Sequence, residues 1–180
     1  MDVPKALLAR LSAVAAVLSG GLRVADAFLP AGVDAQLQQF AYFATDLMFI
    51  FALCGIYLTR SHRLGLIGLL GFASSITGLL VVRSFGAGAY LLGATVTLLG
   101  VVAMGVVMLV RKAFPKWAPI LWITSLIVGV VGLLPAGKNF GVTLAGVIFG
   151  IGFVAAGISL LGEVRDLPAA DSSSPDSGSV

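Results

Sequence analysis

The sequence predicts an all-α fold, a polytopic membrane bundle of six transmembrane helices. Three observations carry that expectation. Of 180 residues, 59% are hydrophobic and 11% charged, with a mean hydropathy of +1.09. A soluble domain usually carries about 25% charged side chains, so this chain lacks the means to build a water-facing surface. The apolar residues come in runs near the ~20 that cross a bilayer as helix. Runs such as VVAMGVVMLV and LAGVIFGIGF do not alternate apolar with polar residues, as strands of a membrane barrel would.

The six expected segments are 6–28, 40–59, 64–82, 86–110, 117–134 and 139–161. The first has two readings. Its uninterrupted apolar core, Leu11–Leu22, is short enough for a signal peptide, with Lys5 and Arg10 as the basic flank. Ala25-Asp26-Ala27 then has the form of a cleavage site, and cleavage would leave five helices. Retention is preferred, because apolar residues resume at Ala27, Phe28 and Leu29. The connection LPAGVDAQLQQ follows, with Pro30, Gly32 and Asp34 as turn formers.

The second segment, FAYFATDLMFIFALCGIYLT, holds one ionisable side chain, Asp46. The basic turn RSHR leads to the third, where Gly68, Gly71, Ser75 and Gly78 share one helix face by their spacing. Ala89, Gly93, Thr97 and Gly100 line the fourth in the same way, and Ser125, Gly129 and Gly132 the fifth. The sixth carries the GxxxG pair Gly146 and Gly150, continued by Gly157. Small residues on one face let helix backbones approach closely in lipid. Packing within the chain is the preferred use of these stripes, and an oligomer interface is the sharper one. Residues 1–162 thus form a transmembrane domain. Residues 163–180, EVRDLPAADSSSPDSGSV, have no periodic apolar face and are expected to be a disordered cytoplasmic tail.

Residues 111–135, RKAFPKWAPILWITSLIVGVVGLLP, close one helix with basic residues and open the next at Pro115-Lys116-Trp117. This resembles a hairpin that recurs in small uncharacterised bacterial membrane proteins of several helices. The resemblance implies a bacterial inner-membrane location and lends no activity.

Lys and Arg in short loops set orientation. With the N-terminus inside, Lys5, Arg10, Arg60, Arg63, Arg111, Lys112, Lys116 and Arg165 fall on the cytoplasmic side, and Arg23, Arg83 and Lys138 outside. That bias predicts a cell-membrane protein with both termini cytoplasmic. The net charge of +3 arises at the ends of apolar runs, so nucleic acid is not an expected partner. The expected surroundings are the lipid bilayer, with a second copy or another membrane protein as partner.

Catalysis is not expected. His62 sits between Arg60 and Arg63 without an evident triad partner, and Cys54 is the single cysteine. One His and one Cys do not make a metal site, and no cofactor motif occurs. The candidate site is instead the polar set in the outer half of the first two helices. Asp46 lies six residues into its segment, about 9 Å of helix rise. Arg23 and Asp26 reach a similar depth from the other side of the turn, and Tyr42 shares the Asp46 face. An ionisable residue at mid-bilayer costs at least ~2.5 kcal/mol to insert, so a partner or a wet cavity is expected. The preferred reading is an Asp46–Arg23 pair across the two helices, with Asp34 and Arg83 close by. The alternative is a site where Asp46, Arg23, Asp26 and Tyr42 bind a proton, cation or other solute. Two functions follow: an accessory, scaffold or sensor subunit acting by helix association, or a small ion- or proton-coupled transporter.

Overall fold

The computed structural model describes residues 5–29, 34–134 and 140–165. They form five α-helices: α1 (Lys5–Asp26), α2 (Ala35–Phe85), α3 (Tyr90–Val110), α4 (Trp117–Gly132) and α5 (Phe140–Arg165), with a 3-10 turn at Gly86–Ala89. Four of them, α1, α2, α3 and α5, are long and apolar enough to cross a membrane, and α4 is a shorter apolar helix. Pro30, Gly32, Lys138 and most of the expected tail, 166–180, lie outside the described residues. The tail's first residues do not leave the helix, since α5 continues through Arg165.

The fold is all-α, but the expected six separate helices are five. The second and third segments share one helical element, α2, because RSHR continues the helix instead of breaking it. Its residues are compatible with helix and include neither glycine nor proline. The break comes just after, at Gly65, whose φ of 60° and ψ of −159° are non-helical. That region is essentially open to glycine alone. The chain reverses there. Tyr57 and Phe72 stack with ring centroids 4.8 Å apart. Fifteen residues along a straight helix would separate them by about 22 Å. α2 is therefore a hairpin of two arms, 35–64 and 66–85.

Four of the helix contacts run through small residues. On the second arm of α2, a Cβ on Gly71 would lie 2.7 Å from the Gly100 carbonyl oxygen of α3, and one on Gly78 would lie 2.5 Å from that of Gly93. Ser75 and Thr97 face each other in this seam, each hydroxyl 3.4 Å from the other's backbone carbonyl. α1 lies most extensively along α5 and next along the first arm of α2. Gly20 meets Gly150 backbone to backbone, and Ser12 fills the notch left by Gly55. α4 and α5 meet at Gly132 and Gly141, and Ser125 donates to the Ala145 carbonyl across the seam at 2.8 Å. Gly68 differs, since the atoms nearest its Cβ position belong to Leu64 of the same element.

Large side chains fill the centre. The Phe153 ring lies 4.6 Å from Phe49, 5.0 Å from Phe149 and 5.2 Å from Trp122, tying α2, α4 and α5 together. Trp122 is fully buried between Gly105 of α3 and Gly152 of α5, and its Nε1 has no hydrogen-bond partner.

α3 ends in a Schellman turn. Ala113 N donates to Met108 O at 2.9 Å and Lys112 N to Leu109 O at 3.2 Å, with Lys112 left-handed at φ 49°. α4 then begins at Trp117. Pro119 lies in its first turn, where a missing N–H costs no helical bond.

Candidate functional site at the α1–α2–α5 junction

Arg23 lies in the last turn of α1, where a cation also suits the negative end of the helix dipole. Its Nη1 donates to Asp26 Oδ2 at 3.0 Å, one turn on in the same helix, and both side chains are mostly buried. Arg23 thus has an ion-pair partner within its own helix, one the sequence reading did not single out. Its other neighbour at this depth is α5. The guanidinium lies over Gly146 of α5, whose Cβ would come 3.0 Å from Nη2. Gly146 is therefore a cradle for Arg23, and Gly150, one turn further, is a backbone contact with Gly20.

Tyr42 reaches the pair from α2. Its hydroxyl accepts from Gln38 Nε2 at 2.9 Å and faces Asp26 and Arg23. Asp46 is half-buried one turn along the same arm and takes part in an interaction of its own. Arg23, Asp26 and Tyr42 are therefore brought together, with Asp46 on the adjoining turn. Asp34 is not a member of the cluster. Its Oδ1 accepts from Gln36 N at 2.8 Å and Leu37 N at 3.1 Å, which makes it the N-cap of α2. The Arg83 side chain lies outside the described residues.

Chemically the cluster offers a guanidinium with donors beyond the one given to Asp26, two carboxylates, a phenol and an amide. Such a set can hold a proton or a cation at the carboxylates, or simply satisfy its own members. Gln38 was not singled out from the sequence, where Gln39 fits the 3–4 spacing with Tyr42 and Asp46. The i,i+4 relation of Gln38 to Tyr42 was the signal available.

A second polar group stands at the opposite end of the bundle. Arg60 on α2 pairs with Glu163 on α5, and its guanidinium lies 5.7 Å from the centroid of the Phe114 ring. Arg111 Nη1 donates to the Arg63 carbonyl at 3.0 Å, next to the Gly65 turn. The basic turns RSHR and RKAFPK are thus neighbours. The Arg60–Glu163 pair spans 103 residues, and no local spacing could have shown it.

Among the described residues, no group of three His, Cys, Asp or Glu side chains could hold a metal ion. Searches of protein-family models, curated proteins and solved structures find no match to this chain. The class that fold and site define is a helical protein with several helices of membrane-spanning length and hydropathy.

Proposed function

We propose that this chain is a multi-pass protein of a bacterial cell membrane that acts by association, as a non-catalytic accessory, scaffold or sensor subunit. It crosses the bilayer six times, counting each arm of α2, with both termini cytoplasmic. The reversal at Gly65 and the stacked Tyr57 and Phe72 support two crossings within α2. The meeting of RSHR with RKAFPK at one end and of Arg23 with Tyr42 at the other supports the orientation read from the cations.

The observation that carries the non-catalytic reading is the use made of hydroxyls in the spans. Ser12, Ser19, Thr45, Ser75, Thr97 and Ser125 are buried and donate to backbone carbonyls, within or across helices. Each hydroxyl is satisfied by backbone, that of Ser125 across the α4–α5 seam and the others within their own helix.

The Arg23–Asp26–Tyr42 cluster, with Asp46 beside it, favours the second reading, a small ion- or proton-coupled transporter. Purification of the full chain in a mild detergent, with mass measurement and identification of bound proteins, separates the two. A partner at fixed stoichiometry is expected. A lone chain whose melting temperature rises with one ion or solute, and loses that response in Asp46→Asn, would favour transport and overturn the association reading. Reporter fusions test orientation. Those after Arg63, Lys116 and Arg165 should report cytoplasm, and those after Asp34, Ala87 and Lys138 the outside.

A further inference from the structure

A groove of about 410 Å³ opens on the surface between the reversal of α2, on both sides of Gly65, and the C-terminal half of α3. Leu64, Ile67, Ala103, Val106 and Val110 line it with hydrocarbon, and Arg111 closes one end. Its rims face outward, since Ile67 is 60% and Val110 76% exposed. The end that Arg111 closes is strongly basic. Arg63 and Lys112 are exposed on the adjoining turns. Glu163, the carboxylate described at this end, is already paired with Arg60. Arg111 is fixed in place by its bond to the Arg63 carbonyl, and a guanidinium carries five N–H donors, so donors remain for a second acceptor.

We infer that this groove is a binding site for one anionic phospholipid, with an acyl chain lying against Ile67, Val106 and Val110 and the headgroup phosphate held by Arg111. The apolar trough and the cation at its mouth match the two halves of such a molecule. A zwitterionic lipid satisfies the trough but gains less from the basic end. A guanidinium presents paired donors that suit a phosphate, and a desolvated boundary strengthens that contact. The site rests on the membrane placement proposed above, but it uses no residue of the Arg23 cluster and does not depend on the choice between association and transport.

The test is native mass spectrometry of the full chain in a mild detergent, titrated with dioleoyl-phosphatidylglycerol and, separately, dioleoyl-phosphatidylcholine. The first bound phosphatidylglycerol should bind about fivefold more tightly, the equivalent of ~1 kcal/mol for one cation at a membrane surface. Arg111→Gln keeps a donor for the Arg63 carbonyl and should abolish the preference. Val106→Trp fills the trough away from the turn and should weaken both lipids, which keeps the test decisive even if Arg111→Gln does not fold. Lys116→Gln, outside the groove, should leave the preference as it is. Equal binding of the two lipids by the unaltered chain would overturn the inference. So would wild-type binding by Val106→Trp, or a loss in Lys116→Gln as large as that in Arg111→Gln.

Discussion

Gly20 and Gly21 are adjacent in α1, yet the same substitution should act on them with opposite sign. A Cβ on Gly20 would collide with the Gly150 carbonyl oxygen and come within 2.9 Å of Val154 N and 3.0 Å of Val154 Cγ2. Two of these atoms are backbone, so relief requires α1 and α5 to separate. Such overpacking costs ~1–3 kcal/mol. Replacing a helix-interior glycine with alanine returns ~0.5–1 kcal/mol, which leaves Gly20→Ala a net loss of up to ~2.5 kcal/mol. A Cβ on Gly21 meets nothing within 4 Å. Gly21→Ala therefore keeps the whole gain of ~0.5–1 kcal/mol. For a chain of this size 1 kcal/mol moves the melting temperature by ~2–4 °C, so the two variants should part by several degrees. Cys54, the chain's single cysteine, is half-buried on the first arm of α2 and offers the probe. Its reaction with a fluorogenic thiol dye during heating in detergent reports opening of the bundle. A Gly20→Ala protein melting at or above Gly21→Ala would show that α1 does not lie on α5 through this face.

The α2–α3 seam makes a parallel case. Gly71→Leu should lower the melting temperature by several degrees, whereas Leu70→Ala, at a side chain 59% exposed, should leave it within about 2 °C. Gly65→Ala forces a side chain into dihedrals that glycine alone adopts readily, at a cost of ~1–3 kcal/mol, and the same melting assay should register it. Lys112→Gly removes a left-handed non-glycine residue from the turn after α3. It should stabilise by ~1 kcal/mol, and a fall in melting temperature would mean that the lysine charge matters more than its backbone strain.

The parts legible in sequence were those set by local spacing. The stripe of Gly71, Ser75 and Gly78 and that of Gly93, Thr97 and Gly100 could each be read in advance, because close approach requires small residues at intervals of three and four, but not that they face each other. The location of the hairpin within α2 was read less well. The charges of RSHR call for solvation, which says nothing of backbone dihedrals, and the backbone stays helical through them. The reversal depends on the dihedrals of one glycine among 23, and composition does not distinguish Gly65 from the rest. Depth along each helix also came through, so Arg23, Asp26 and Tyr42 were rightly placed together. Which helix lies beside which did not. No spacing pointed to α5 beside Arg23, whose guanidinium lies over Gly146 and pairs with Asp26 inside α1. Lys112 gave no warning of a left-handed backbone, since nothing about lysine favours it.

The broad contact of α1 with α5 separates the order of synthesis from the order of closure. The α2–α3 seam joins neighbours in the chain and can shut as soon as both have left the ribosome. α1 is made before α5, so the surface that receives Gly20 arrives well after the notch itself. Synthesis from the N-terminus thus lets α2 close on α3 before α1 can close on α5.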